Sequence, residues 1–212
     1  METDNYELEL YQKLPQMVLG FHGCDKEVAL KILNSSSEHL KASDNDYDWL
    51  GEGIYFWLND PKRAYEWAVS CHKRNPQKIK EPYVIGAIID LGNCLNFCER
   101  QSIKLLQRAY DELGVVMKMS GIDLSDLKNK VPDEGGFKLL RPLDCAVITY
   151  LHKMMSQKRV SFDTVYGYFQ EGKDAFIGCG IKEKSHIQIC VRNTNCIKGY
   201  FLPRQIELSK TK

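Results

Sequence analysis

The chain has 212 residues, of which 43% are hydrophobic and 27% are charged, with a formal net charge of +1. That size and composition indicate a globular protein of one domain, and the balanced charge excludes an overall field that draws the chain to nucleic acid or membranes. Because the sequence shows neither a secretion signal nor a run of about 18 apolar residues, we expect a cytoplasmic protein without membrane contact.

The first half of the chain alternates patterns typical of short strands and helices. Asp25 and the run Asn59-Asp60-Pro61 favour helix starts, because a short acidic side chain caps the first turn and proline fits the first helical position. In chain order we predict a helix (6–14), a strand (17–23), a helix from Asp25, a loop (35–48), a turn that leads into a strand (51–57), a helix from Asp60 to about His72 and a strand (83–91).

From Glu99 onward, apolar residues recur at helical spacing, as at Ile103, Leu106 and Tyr110. We interpret residues 99–157 as a helical insertion between two groups of strands. After the first helix of this insertion we predict two further helices (123–130, 144–157) with a turn between them (132–136). Strands follow the insertion (162–169, 185–192, 196–202). The predicted fold class is therefore α+β, as a single domain over residues 1–212 with a mostly antiparallel sheet and flanking helices.

The eight cysteines are predicted to be reduced thiols. None forms a Cys-x-x-Cys pair, and no Cys and His residues stand at the spacing of a zinc site. Together with the expected cytoplasmic location, this spacing favours neither disulfides nor a bound metal.

Three short segments carry the residues that we single out for chemistry. They are GFHGC (20–24), LGEGIYF (50–56) and HIQICV (186–191), the last followed by CIKGYF (196–201). Each has an ordinary explanation when taken alone: a structural histidine at a strand end, a Gly-x-Gly turn, and a glutamine on the wet face of a half-buried strand. Their combination in this order is what indicates a shared function.

Taken together, the segments resemble the signature of the poly(ADP-ribose) polymerase-like, or diphtheria-toxin-like, ADP-ribosyltransferases. That family is marked by a His-Tyr-Glu triad spread over three strands. His22-Gly23 matches its first element, residues 51–56 match its Gly-x-Gly-Ile-Tyr-Phe element, and Gln188 stands where the family has its acid. The resemblance implies a split antiparallel sheet, with NAD⁺ as co-substrate and no metal.

The resemblance also implies a role for each matching residue. The His22 imidazole would hydrogen-bond a ribose hydroxyl of NAD⁺, and the backbone of Gly23 would pair with the nicotinamide amide. The Tyr55 ring would stack on the nicotinamide, and Gln188 would hold hydroxyls of the nicotinamide ribose. The predicted site comprises the catalytic residues His22, Tyr55 and Gln188 and the NAD⁺-binding residues His22, Gly23, Gly53, Tyr55, Tyr65 and Gln188.

Gln188 is the main departure from the family pattern. A glutamine can hydrogen-bond the sugar but cannot take a proton from a nucleophile, which argues against polymer synthesis and favours a single transfer. Glu52, Glu66 and His186 lie near the motifs and offer alternative bases, although we expect all three to be solvated surface residues.

The helix after the second motif departs as well. Arg63 falls where many relatives have a serine, and Tyr65 is one residue away from the position of a second stacking tyrosine. A shift of one residue turns a helical side chain by about 100°. A core position beside Trp67 therefore stays open as the alternative for Tyr65.

These observations predict a mono-ADP-ribosyltransferase that moves ADP-ribose from NAD⁺ to a macromolecule, either a protein or a nucleic-acid base, and releases nicotinamide. Short relatives of this type imply a toxin or an anti-phage effector, with an antitoxin or inhibitor protein as a further partner. Three alternatives stay open: an NAD⁺ glycohydrolase with the same site, a non-catalytic module that binds NAD⁺ or ADP-ribose, and 2′-phosphotransfer from RNA, for which the sequence offers no basic phosphate-binding arrangement.

Overall fold

The computed structural model describes residues 16–132 and 138–204. The strands are β1 (Met17–Asp25), β2 (Ile54–Leu58), β3 (Pro82–Asp90), β4 (Cys94–Asn96), β5 (Lys130–Pro132), β6 (Lys138–Leu140), β7 (Thr164–Phe169), β8 (His186–Val191) and β9 (Ile197–Phe201). The helices are α1 (Lys26–Leu33), α2 (Pro61–Arg74), α3 (Arg100–Met119) and α4 (Pro142–Gln157). The predicted helix at 6–14 lies outside the described residues, as does most of the predicted turn at 132–136.

Two helix starts lie where the sequence predicts them. The Asp25 carboxylate accepts a hydrogen bond from a backbone N–H in the first turn of α1 (2.9 Å), and the Asp60 carboxylate does the same for α2 (2.9 Å). Pro61 occupies the first turn of α2, which continues to Arg74, slightly beyond its predicted end. The cap at Asp60 thus fixes where the chain turns from β2 into α2.

Seven strands form one sheet in the order β4-β7-β8-β2-β1-β3-β9, and β5 pairs with β6 separately. Neighbouring strands of the large sheet are antiparallel except for the parallel pair β4–β7. With the four described helices, this makes the fold α+β, as predicted. No helix in the described ranges is both long and apolar enough to cross a membrane.

Helices cover both faces of the large sheet. On one face, α1 packs through Ala29 against a core that includes Phe56 of β2. On the opposite face, α2 packs beside Trp57, whereas α3 and α4 enclose a second cluster that Tyr55 joins. Because side chains alternate along a strand, Tyr55 and Trp57 lie on that same opposite face. Trp57 packs in the cluster beneath α2 and Tyr55 in the cluster of α3 and α4, so the areas covered by these helices meet at β2.

The segment between β4 and β7 is mostly helical, as expected of the insertion at about 99–157, and α3 and α4 pack against each other. The predicted helix over 123–130 is wrong. Its residues form a short 3-10 turn (Leu124–Asp126) that leads into β5, which pairs with β6. Leu124 is buried but its described neighbours are not, so packing against the rest of the protein does little to stabilise a longer helix here.

Candidate functional site

The three predicted catalytic residues lie on three consecutive strands of the sheet. His22 belongs to β1, Tyr55 to β2 and Gln188 to β8, and β2 is hydrogen-bonded to both of the others. In the register of β2 and β8, Gln188 lies opposite Trp57, so it shares a face of the sheet with Trp57 and Tyr55. His22 occupies the alternate position, because Phe21 is the β1 residue opposite Trp57. The His22 ring lies 5.8 Å from that of Phe56.

The pairing of β1 with β2 ends early. It covers only Gly20–Leu58 and Phe21–Trp57, although β1 pairs with β3 along its whole length. Continued in register, Gly23 would lie opposite Tyr55. Instead, the Tyr55 carbonyl oxygen lies 2.7 Å from Nδ1 of His22. The imidazole of His22 thus replaces the next backbone hydrogen bond between β1 and β2.

The end of this ladder leaves the backbone of Gly23 beyond the last pair of β1 and β2. The Leu19 carbonyl, on the same strand, accepts a hydrogen bond from the Asn59 N–H (3.0 Å) just beyond β2. Because the N–H and C=O groups of alternate residues point to the same side of a strand, those of Gly23 also point toward β2. The β2 strand no longer meets them there, since the pairing has stopped at Phe21.

The hydrogen bond to Tyr55 defines the protonation of His22. A carbonyl oxygen only accepts, so Nδ1 carries the hydrogen and donates it. Burial lowers the pKa of His22, against the smaller opposing effect of the hydrogen bond to Tyr55. The ring is therefore neutral near pH 7, and its Nε2 atom is a hydrogen-bond acceptor. The side chain is half-buried, which leaves it within reach of a ligand.

Both predicted site glycines have a packing role. A Cβ atom on Gly23 would lie 2.1 Å from the Ala64 carbonyl oxygen, so glycine lets α2 lie directly on β1. At Gly53, where φ is +154°, a Cβ atom would lie 2.5 Å from the Cys190 sulfur. These contacts explain the two glycines on structural grounds, independently of any ligand.

The Tyr55 hydroxyl is engaged with the turn that precedes β2. It donates to the Gly51 carbonyl (2.6 Å) and accepts from the Leu50 N–H (2.9 Å). Burial raises the pKa of Tyr55, as does the neighbouring Cys190 thiol to a lesser extent. The half-buried ring, rather than the hydroxyl, is the part of this side chain that remains for a ligand.

Gln188 is buried and belongs to a polar network. Its Nε2 atom lies 3.1 Å from Nε2 of His186, and Nδ1 of His186 lies 2.7 Å from the Lys184 carbonyl oxygen. The contact with His186 occupies the side-chain nitrogen of Gln188, so the side-chain oxygen points away from His186. An amide oxygen that accepts two hydrogen bonds thus remains at the third predicted position.

His186 is buried, so the expectation of a solvated residue is wrong for it. Its ring is stacked on that of Trp49 (centroids 6.1 Å apart) and lies close to the rings of Trp57 and Phe169. Burial lowers the pKa of His186. Glu52 is exposed and the Glu66 side chain retains 44% of its exposure, as expected for solvated residues.

A nearly buried ion pair lies beside His186, and sequence reasoning missed it. Arg63 Nη2 lies 2.6 Å from Glu171 Oε2, with 12% and 11% of their side chains exposed. The same carboxylate oxygen lies 3.9 Å from Nδ1 of His186. Glu171 follows β7 and carries no motif. Arg63 drew notice only as a departure from the family pattern, and its partner is 108 residues away.

Two buried donors next to this network are unpaired among the described residues. They are Nε1 of Trp57 and Nε of Arg63. The Arg63 guanidinium carbon lies 5.9 Å from the centre of the Trp57 ring, so the two groups are neighbours. Unpaired buried donors are costly, and their grouping marks this region as a place where a ligand's acceptor atoms would be favourable.

An open cavity of about 310 Å³ lies at the start of α2, with Arg63 in its wall. Its lining is charged and of mixed sign: Asp60, Lys62, Arg63, Glu66, Glu183, Lys184 and Ser185. The cavity therefore adjoins the polar network from the solvent side. Neither His22 nor Tyr55 lines it.

Tyr65 is half-buried and packs against the apolar cluster beneath α2, which includes Phe21, Trp57 and Val84 and which Trp67 also contacts. This placement matches the alternative of a core aromatic beside Trp67. Within residues 16–132 and 138–204, no three His, Cys, Asp or Glu side chains are grouped so that they could hold a metal ion.

Comparisons with known proteins leave the family of the chain open. No family model matches it, and no solved structure matches it significantly. It is similar to an uncharacterized protein of Methanocaldococcus jannaschii, with 26% identity over 196 residues that cover 84% of this chain and 83% of that protein. A functional assignment must therefore rest on the residues of the site.

Proposed function

We propose that the chain is an NAD⁺-dependent mono-ADP-ribosyltransferase. The observation that carries the proposal is the end of the β1–β2 ladder, where a neutral imidazole lies beside Tyr55 and the backbone of Gly23 points toward β2 beyond the last pair of the two strands. Gln188, on the next strand, offers an amide oxygen. The sequence motifs of the family supply the rest of the argument.

The end of the ladder suits the nicotinamide end of NAD⁺. A carboxamide needs one donor for its oxygen and one acceptor for its nitrogen, and a strand residue whose N–H and C=O groups lie beyond the strand pairing provides both. Gly23 would meet the carboxamide in this way. The Nε2 atom of His22, an acceptor when the ring is neutral, would take a hydrogen bond from a ribose hydroxyl.

The chemical step needs charge stabilisation more than covalent help. The bond between C1′ and nicotinamide breaks, the sugar carbon gains oxocarbenium character, and a nucleophile of the acceptor forms the new bond and loses its proton. The oxygen of Gln188 would hold ribose hydroxyls in place during this change. Since Gln188 cannot take the proton, the acceptor or another group must release it, which fits a single transfer rather than chain growth.

Two alternatives share this site. An NAD⁺ glycohydrolase would use water as the acceptor, and a non-catalytic module would bind NAD⁺ or ADP-ribose without bond cleavage. The second alternative is favoured by Gln188, which lacks a basic group, and by the engaged hydroxyl of Tyr55. For the transferase we propose a macromolecular acceptor. We also propose that it acts as a toxin or anti-phage effector, which an antitoxin or inhibitor protein inhibits.

The test is incubation of the purified protein with NAD⁺ labelled in its adenylate part, with and without cell lysate. Label on macromolecules, removed by protease or by nuclease, supports transfer and identifies the class of acceptor. Free ADP-ribose without labelled macromolecules supports the glycohydrolase. Saturable NAD⁺ binding without nicotinamide release supports the binding module, and absence of binding refutes the proposed site. His22→Ala serves as the site variant, with His39→Ala as the matched control at an exposed histidine.

A further inference from the structure

We propose that His186 is a positioning residue that determines which end of the Gln188 side-chain amide faces the ligand. The inference rests on the proposed function, because it assigns to Gln188 the contact with the ribose of NAD⁺. His186 itself would touch neither the sugar nor the acceptor. Its effect would pass through one hydrogen bond to Gln188.

The hydrogen bonds of His186 fix its tautomer. Nδ1 lies 2.7 Å from the Lys184 carbonyl oxygen, which only accepts, so the ring hydrogen is on Nδ1. In the neutral ring, Nε2 then has a lone pair and must accept. The group that lies 3.1 Å away is therefore the NH₂ end of Gln188, and the oxygen end points away from His186.

Protonation of His186 would reverse this arrangement. Nε2 would then donate, and Gln188 would have to turn its oxygen toward the ring and its NH₂ group toward the ligand. The charged groups that face the ring are Arg63 and Asp60 of the α2 start and Glu171 after β7. Burial is the largest effect and lowers the pKa of His186, as does the Arg63 guanidinium, against the hydrogen bond to Lys184 and the two carboxylates, so the neutral ring prevails near pH 7.

The surroundings hold the ring in one orientation. The rings of Trp49, Trp57 and Phe169 pack around it, and its side chain is only 1% exposed. A ring confined in this way cannot turn to offer Gln188 another atom.

With its oxygen toward the ligand, Gln188 accepts hydrogen bonds from ribose hydroxyls, as a carboxylate would, but takes no proton from them. This explains how a glutamine can serve in a position that binds the sugar.

The first test concerns the hydrogen bond and does not depend on activity. In ¹⁵N-labelled protein at pH 7, the nitrogen shifts of His186 should show the neutral Nδ1–H tautomer. A coupling across the hydrogen bond should connect its Nε2 with the side-chain nitrogen of Gln188. An Nε2–H tautomer, a protonated ring or a missing coupling would overturn the inference, whatever the protein does with NAD⁺.

The second test links the hydrogen bond to the ligand. His186→Phe keeps an aromatic ring but removes the acceptor, and should weaken NAD⁺ binding about fivefold to tenfold, the effect of one hydrogen bond. His186→Gln places an oxygen near the position of Nε2 and should restore most of the affinity. His39→Phe, at an exposed histidine, is the matched control.

The pH dependence separates positioning from mere packing. NAD⁺ affinity of the wild type should fall as His186 becomes protonated, and this part of the pH profile should be absent in His186→Phe, although the part due to His22 remains. Equal affinity of the wild type and His186→Phe at all pH values would overturn the inference. If the wild type binds no NAD⁺ at all while the nitrogen coupling is present, the proposed function fails but the orientation of Gln188 stands.

Discussion

Nδ1 of His22 lies 2.7 Å from the carbonyl oxygen of Tyr55, at the point where Gly23 would otherwise pair with Tyr55. One imidazole therefore satisfies the last carbonyl of the ladder and keeps β2 away from the backbone of Gly23. Its second nitrogen is left as an acceptor. The local end of strand pairing and the proposed NAD⁺ contacts thus depend on the same side chain.

Replacement of His22 should affect activity more than stability. His22→Ala removes the proposed ribose contact, so nicotinamide release should fall at least about tenfold. It also leaves the Tyr55 carbonyl without its partner, at a cost of about 1–3 kcal/mol in the free energy of unfolding. Nicotinamide release and urea unfolding measure the two effects, with His39→Ala as the control. Wild-type release from a folded His22→Ala protein would remove His22 from the site.

For Tyr55, the hydroxyl and the ring can be tested separately. Tyr55→Phe leaves the Gly51 carbonyl and the Leu50 N–H without their partner but keeps the ring. We expect a loss of about 1–3 kcal/mol in the free energy of unfolding, measured by urea denaturation, and little change in NAD⁺ binding. Tyr168→Phe, whose side chain is at an exposed position, should change stability by less than about 0.5 kcal/mol. Equal stability of the two variants would contradict the hydrogen bonds of Tyr55.

The parts of the fold that local sequence controls could be predicted, and the contacts between distant segments could not. The caps at Asp25 and Asp60 and most strands follow from local residue types and spacing. The ion pair of Arg63 and Glu171 does not, because it joins residues 108 positions apart without a motif. Burial of His186 is of the same kind, since three rings from different segments enclose it.

The approach of α2 to β1 depends on the absence of a side chain at Gly23. In Gly23→Ala, the new methyl group would lie 2.1 Å from the Ala64 carbonyl oxygen, a backbone atom that moves only with the helix. We expect a loss of at least about 2 kcal/mol in the free energy of unfolding. Gly199→Ala in β9 is the matched control, because nothing lies within 4 Å of the new methyl group. Similar unfolding curves for both variants would show that α2 does not lie on Gly23.

The ion pair of Arg63 and Glu171 should be strongly coupled. Removal of Arg63 leaves the Glu171 carboxylate nearly buried without this partner, and removal of Glu171 leaves the nearly buried guanidinium with the longer contact to the half-exposed Glu66 (3.8 Å), so Arg63→Met and Glu171→Gln should each cost about 3–5 kcal/mol. The double variant should cost clearly less than the sum of the two, as measured by urea denaturation in a double-mutant cycle. The exposed pair Arg108 and Glu112 provides the comparison, with an expected coupling of about 0.5 kcal/mol or less. Additive losses at Arg63 and Glu171 would exclude the ion pair.

His152 of α4 should make the fold sensitive to acid. Its Nε2 atom is buried and unpaired among the described residues, and burial, with a smaller effect of Arg192, lowers the pKa of His152 to about 3. In the unfolded chain its pKa is about 6.5, so between these values the unfolded state binds the proton more readily. The free energy of unfolding is therefore not reduced by this residue above about pH 6.5, and it falls as the pH decreases below that value. Between pH 7 and pH 5 we expect this residue to lower the free energy of unfolding by about 1–2 kcal/mol.

The measurement for His152 is urea unfolding of the wild type and of His152→Leu at pH 7, 6 and 5. His22 and His186 shift in the same direction and remain in both proteins, so the difference between the two curves isolates His152. The free energy of unfolding should fall less steeply with acid in His152→Leu than in the wild type, because the variant lacks the one proton that His152 binds on unfolding. Parallel curves for the wild type and His152→Leu would contradict the lowered pKa of His152, because a ring that takes up its proton equally in the folded and unfolded states adds nothing to the slope.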